Sequence, residues 1–298
     1  MSLLVATILT LSIIGASAAI ILFFVAQKFK VYEDPRIDQV EESLPGANCG
    51  GCGYPGCRGF AEACVKSDSL DGFNCPVGGN ECMEVVAKIL GREVVEQDPL
   101  IAVVKCNGTP ENRKKTSIYD GVATCAISSA LYGGETDCPF GCLGYSDCVV
   151  VCSFDAIYMD EKTGLPVVID DKCVACGACV TACPRAIIEL RKKNKKDRKI
   201  FVSCVNKDKG VLAKKACAVA CIGCKKCVKV CTFDAITVEN FVAHIDSNKC
   251  KLCRKCVVEC PTNCYPIFYR LLINPFVSFR SLLFLRLVEH FLLILNLW

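Results

Sequence analysis

The sequence predicts an α+β chain built in pieces: a single N-terminal transmembrane helix, a small α-rich cysteine domain, and two tandem modules of short strands and cysteine loops. Three observations predict it. Residues 3–26 carry no charge, 27 cysteines gather into closely spaced runs, and one hexapeptide recurs in near copy 79 residues further on.

The uncharged run comes first. At about 1.5 Å per residue, about two dozen residues cross a hydrocarbon core of about 30 Å. A cleaved signal peptide is the rival reading, supported by Gly15-Ala16-Ser17-Ala18-Ala19, but no Lys or Arg precedes the apolar stretch. The first basic residues, Lys28 and Lys30, follow it, so the positive-inside rule puts the cysteine-rich body on the cytoplasmic side. That side is reducing, and thiols there stay available for metal rather than pairing as disulfides.

Composition removes several classes. Lys and Arg number 35 against 31 Asp and Glu, and a balance of +4 is no footprint for nucleic acid. The histidines are His244 and His290, too few for a Cys/His zinc-finger pattern or for histidine acid–base chemistry. No G-x-G-x-x-G follows a strand and no P-loop occurs, so nucleotide or flavin chemistry belongs to other chains.

The cysteine runs carry the chemistry. Cys49-x2-Cys52-x4-Cys57 with Cys75-Pro76 supplies four thiolates from a glycine-rich loop, a set suited to a [4Fe–4S] cluster and also to zinc. Cys173-x2-Cys176-x2-Cys179-x3-Cys183-Pro184 matches the bacterial ferredoxin run in every spacing. The run recurs at Cys250, Cys253, Cys256 and Cys260-Pro261, and at Cys221, Cys224, Cys227 and Cys231-Thr232. In such runs three sulfurs take one cluster and the fourth takes its neighbour, so runs come in pairs.

The partner of the Cys173 run is Cys138-x3-Cys142-x5-Cys148-x3-Cys152-Ser153, whose spacing departs from the pattern. The repeat explains the departure. Cys152-Ser-Phe-Asp-Ala-Ile157 matches Cys231-Thr-Phe-Asp-Ala-Ile236, and the same shift puts Tyr145 where the second half has Cys224. Crossed ligation then assigns Cys138, Cys142, Cys148 and Cys183 to one cluster, and Cys152, Cys173, Cys176 and Cys179 to the next. It assigns Cys221, Cys224, Cys227 and Cys260 to a third set, with Cys217 as a possible substitute for Cys224, and Cys231, Cys250, Cys253 and Cys256 to a fourth. With the first domain this makes five [4Fe–4S] clusters. Cys64, Cys82, Cys106, Cys125, Cys204, Cys217 and Cys264 stay outside the sets and read as buried thiols, with a ligand role left open for Cys106, Cys125 and Cys204.

Helices are expected over residues 57–66 and 81–90, and strands over 101–104, 165–170 and 241–246. The domains expected are an anchor at 1–27, a single-cluster domain at 28–92, a linker at 93–135, ferredoxin-like modules at 136–190 and 216–264, and a connector at 191–215. The basic run 191–199 within that connector reads as solvated, with contact to an acidic carrier or to anionic lipid as alternatives. Residues 265–298 form a hydrophobic tail broken by Arg270, Arg280, Arg286 and Glu289, too charged for a clean membrane span.

The strings Gly46-Ala-Asn-Cys-Gly-Gly-Cys-Gly-Tyr-Pro-Gly-Cys57 and Tyr132-Gly-Gly-Glu-Thr-Asp-Cys-Pro-Phe-Gly-Cys-Leu-Gly-Tyr145, placed after one N-terminal helix, resemble the B-subunit family of Rnf ion-translocating oxidoreductase complexes. The resemblance spans residues 1 to about 264 and suggests a longer member with two ferredoxin modules. It implies an electron-transfer subunit in a bacterial inner membrane, with no substrate-transforming site of its own. That subunit would relay electrons between soluble ferredoxin and membrane subunits in ferredoxin:NAD oxidoreduction coupled to Na+ or H+ transport. Ser153 and Thr232, in place of the usual prolines, and the tail depart from the family pattern. A stand-alone anchored polyferredoxin and a structural zinc–thiolate protein are the alternatives.

Overall fold

The structure, a computed structural model, describes residues 3–28, 33–193 and 199–266. Helix α1 (Leu3–Lys28) is the one described helix long and apolar enough to cross a membrane. Within Ile8–Lys28 its most apolar 18-residue stretch has a mean hydropathy of 2.6, and none of that stretch is buried against the rest of the protein. An unburied apolar surface of that length matches lipid rather than water.

Three helices follow: α2 (Pro35–Ser43), α3 (Gly56–Lys66) and α4 (Gly79–Leu90). Helix α2 starts where Pro35 takes the first helical position and the Asp34 carboxylate accepts the Arg36 N–H at 2.9 Å. Its buried face, Ile37 and Val40, packs with Phe60 and Ala61 of α3 and with Met83 and Val86 of α4. Burying each large apolar side chain contributes about 1.5–3 kcal/mol. Helix α4 stops at Gly91, whose φ of 63° closes the left-handed cap. The expected helices at 57–66 and 81–90 are α3 and α4; α2 is an addition.

The rest of the described chain is built of two-stranded antiparallel ribbons and short helices. β1 (Leu100–Val104), α5 (Cys125–Leu131), α6 (Asp147–Val150), the hairpin β2 (Ile157–Asp160) and β3 (Leu165–Val168), α7 (Ala178–Ala182) and β4 (Ile188–Lys192) form the first half. β1 pairs with β4, Leu100 opposite Lys192 and Val104 opposite Ile188. The second half has α8 (Gly210–Ala216), α9 (Lys226–Lys229), the hairpin β5 (Ile236–Glu239) and β6 (Val242–Ile245), and α10 (Lys255–Val258). Strands expected near 165 and 241 are β3 and β6, each the second arm of its hairpin. Two-residue turning at Asn240 and Phe241, with φ of 46° and 61°, joins β5 to β6.

Residues 93–135, expected as a linker, contain β1 and α5. The basic run is not solvated throughout, because Arg191 lies inside β4 and is 7% exposed. There its guanidinium donates to the Ile245 carbonyl of β6 and meets Glu189 at 2.8 Å, tying the two halves together. Residues 194–198 of that run lie outside the described residues. So do residues 267–298 of the expected tail, including His290, but Tyr265 at its start is 1% exposed and belongs to the core of the second half. His244 is exposed on β6.

Candidate cluster sites

One backbone course recurs four times. Two residues after Cys142, Cys173, Cys221 and Cys250 stand Gly144, Ala175, Gly223 and Leu252, with φ between 55° and 84°. Two residues further on stand Ser146, Gly177, Lys225 and Arg254, with φ between 59° and 81°, each opening a one-turn helix that carries Cys148, Cys179, Cys227 or Cys256. Alternating left-handed residues curl each loop about an interior. Three residues after the last cysteine of each run, Asp155, Ala186, Asp234 and Asn263 are again left-handed. The equivalence makes Cys142 the first cysteine of its run and puts Tyr145 in the place of the second.

The cysteines line cavities. Cys49, Cys52, Cys57 and Cys75 surround one of about 320 Å³ in the helical domain. Cys152, Cys173, Cys176 and Cys179 surround one of about 370 Å³. Cys221, Cys224, Cys227 and Cys260 surround one of about 340 Å³, with Cys264 as a fifth thiol, its Sγ 3.4 Å from that of Cys260. Cys231 and Cys253 both lie close enough to Cys250 to disfavour its thiolate, and Cys250 and Cys253 do the same to Cys256, so this set too is gathered.

The remaining expected set is gathered only in part. Cys142, Cys148 and Cys183 share a cavity of about 360 Å³, but its fourth thiol is Cys125. Cys138 lines a separate cavity with Cys106, Cys204 and Cys217, which also takes Cys217 away from the Cys221 set. Cys125 is held by tertiary structure rather than by spacing. It opens α5, and the Asp147 carboxylate accepts its N–H at 2.9 Å and that of Ala126 at 3.0 Å, one residue before Cys148. The only sequence signal for Cys125 was a spare thiol in a chain whose run lacked one at Tyr145. Among the other thiols outside the sets, Cys64 is fully buried on the inner face of α3 and Cys82 points at the Ser43 carbonyl, 3.5 Å away.

Burial pushes the Cys142 and Cys148 thiols up to about 12 and those of Cys179 and Cys227 to about 11. Neighbouring amides oppose it, as Gly144 does at Cys142 and Ala178 at Cys176. Cys264 is pushed up by its hydrogen bonds with Cys221 and then Cys260, so it stays a thiol and donates, while Cys221 and Cys260 are lowered. Such thiols become good ligands only when cations replace their protons.

The donor sets suit a polynuclear cluster. A single zinc ion needs its thiolates about 2.3 Å from one point. Among the described residues no group of three or more Cys, His, Asp or Glu side chains is placed to hold a single metal ion. Four sulfurs spread around one cavity instead suit a cubane, in which each iron takes one thiolate. The domains also meet closely: a Cβ on Gly51 would lie 2.9 Å from Cys176, and Cys49 lies near enough to Cys176 to act on it.

A membrane-type helix followed by successive four-thiol cavities in ferredoxin loops defines an iron–sulfur electron carrier with several clusters. A family model described as "Putative Fe-S cluster" matches residues 44–77, and one described as "4Fe-4S dicluster domain" matches residues 137–187 and 220–264. The B-subunit of the Na(+)-translocating ferredoxin:NAD(+) oxidoreductase complex of Acetobacterium woodii is 44% identical over 255 residues, 85% of this chain and 75% of that one. The B-subunit of the ion-translocating oxidoreductase complex of Methanosarcina acetivorans is 40% identical over 262 residues, 87% of this chain and 97% of that one. Its counterpart in the proton-translocating ferredoxin:NAD(+) oxidoreductase complex of Clostridium ljungdahlii is 37% identical over 257 residues, 86% and 89%. The chain belongs to the B-subunit family of Rnf-type ion-translocating oxidoreductase complexes and is an iron–sulfur electron-transfer subunit of a membrane-associated complex.

Proposed function

We propose that this chain relays electrons between soluble ferredoxin and the membrane subunits of its complex, in ferredoxin:NAD oxidoreduction coupled to Na+ or H+ movement. The observation that carries it is the succession of four-thiol cavities, one in the helical domain and the others in the ferredoxin loops. [4Fe–4S] clusters, when bound, supply one-electron carriers with potentials between roughly −700 and +450 mV. The chain's own residues hold and insulate them.

In this reading Cys49, Cys52, Cys57 and Cys75 hold one cluster within residues 28–92. Cys125, Cys142, Cys148 and Cys183, and Cys152, Cys173, Cys176 and Cys179, hold two in a module centred on 136–190, extended upstream to take in α5. Cys221, Cys224, Cys227 and Cys260, and Cys231, Cys250, Cys253 and Cys256, hold two in 216–264. Replacing Cys138 by Cys125 follows from the shared cavity. Lys28 in the last turn of α1 supports a cytoplasmic body, with the anchor in lipid.

The test is anaerobic purification of the full chain, iron and sulfide analysis, and low-temperature EPR after adding reduced ferredoxin. The expected result is a brown protein reduced by ferredoxin, carrying about four iron per cluster. A colourless protein loaded with zinc, or a brown one that ferredoxin does not reduce, overturns the proposal.

A further inference from the structure

The cavity that receives Cys138 lies between the two halves of the cysteine region. Cys106 comes from the turn after β1, Cys138 from the loop before α6, Cys204 from the segment after β4, and Cys217 from the end of α8. Together they line about 330 Å³ of space. Cys138, Cys204 and Cys217 are 7–8% exposed, so this is an interior site.

The sulfurs here are treated as those of the ferredoxin runs are. In the runs, the amide two residues after a ligand faces its sulfur: Gly144 at Cys142, Ala178 at Cys176, Leu252 at Cys250. The same placement occurs here with Phe140 at Cys138, Asn206 at Cys204 and Val219 at Cys217. In addition, the Cys142 amide donates to the Cys106 sulfur at 3.5 Å, and the Asn206 side-chain amide to the Cys138 sulfur at 3.6 Å. Amide donors crowding thiol sulfurs are matched to negative charge, because neutral thiols accept weakly.

A cation stands beside them. Arg113 also lines the cavity, donates to the Cys142 carbonyl at 2.6 Å, and keeps a buried Nε without a partner. Its positive charge acts on both Cys138 and Cys217. An unpaired buried N–H is costly, and an anionic occupant satisfies it.

We infer that Cys106, Cys138, Cys204 and Cys217 bind a further [4Fe–4S] cluster, a sixth, that joins the two ferredoxin modules. The inference rests on the cluster reading above, since Cys125 releases Cys138 for this role. Three competing uses of the thiols fit less well. No three converge on one ion, a disulfide leaves the amide donors facing neutral sulfur, and plain packing leaves Arg113 unanswered. Its location gives the site a purpose. Cys106 touches the amide of Cys142 in the first module, and Cys204 faces the amide of Cys221 in the second, so the site spans the gap between them.

Native mass spectrometry of the full wild-type chain, kept anaerobic, counts clusters without any substitution, and iron and sulfide analysis checks the count. Six clusters with about 24 iron are expected, against five with about 20. Cys204→Ser and Cys217→Ser should each lose about four iron or leave a three-iron EPR signal. Five clusters in the wild type, unchanged by Cys204→Ser and Cys217→Ser but reduced by Cys148→Ser, overturn the sixth site and leave the proposed function standing. Loss of iron in Cys138→Ser with none in Cys125→Ser also overturns it, by returning Cys138 to the Cys142 set. No response to Cys148→Ser overturns the cluster reading itself.

Discussion

The two ferredoxin modules follow one backbone course and differ in how they complete the first set of thiols around a cavity. A shift of 79 residues lays Cys142, Cys148 and Cys152 on Cys221, Cys227 and Cys231, yet sets Tyr145 against Cys224 and Asp147 against Lys226. It also sets Cys125 against Cys204 and Cys138 against Cys217. In the first module the fourth thiol around the corresponding cavity is Cys125, steered by Asp147. In the second the local Cys224 is present and Cys204 turns instead to the cavity between the halves. A sulfur's place around a cavity is thus kept while its place along the chain is free to move, provided another part of the fold already holds a thiol within reach.

The comparison can be broken at three levels. The largest effect is expected from stripping iron anaerobically with a chelator. Each module has little more than short two-stranded ribbons and helices of one or two turns, too little to stand alone, so both should lose near-UV circular dichroism and become protease-sensitive together. If one module survives, the two do not depend on metal alike.

Next in size is Cys125→Ser, which should cost the first module about one cluster, about four iron. Tyr145→Cys added to that variant should restore the iron by recreating the second module's local run. Full iron in Cys125→Ser alone, or no recovery in the double variant, would show that the halves are not built on one plan.

The smallest effect concerns a residue that binds no metal in this scheme. Four residues after Cys260 stands Cys264, a thiol donor to Cys260 and Cys221, whereas four after Cys183 stands the apolar Ile187. Hydrogen bonds to cluster sulfurs tune potentials. Cys264→Ala should therefore keep the iron content but move one second-module potential to a more negative value in an EPR redox titration. An unmoved potential would reduce Cys264 to packing.

Short-range spacing was enough to single out the thiols gathered around Cys49, Cys173, Cys221 and Cys250, because most of them sit on one loop whose turns are local. Helices α3 and α4 and strands β1, β3 and β6 were legible for the same reason: periodicity or β-branched runs bounded by turn residues. Cys125 was not, because what places it is a carboxylate cap from Asp147, a contact 22 residues along the chain. Nor was the gathering of Cys106, Cys138, Cys204 and Cys217, which depends on how β1, α8 and the loop before α6 come together. Arg191 misled for the opposite reason: its string of basic neighbours reads as solvent-facing, but register in β4 turns its guanidinium onto β6.

Gly51 has a consequence out of proportion to its size. Its missing side chain lets the helical domain's loop rest on Cys176, with no gap that a methyl group could enter without something shifting. Tunnelling weakens exponentially with separation, so residue 51 acts as a mechanical stop that sets the closest approach of the two cysteine loops and of any clusters they hold. Any larger residue there would have to push the two loops apart, and electron transfer between clusters held on them is expected to slow.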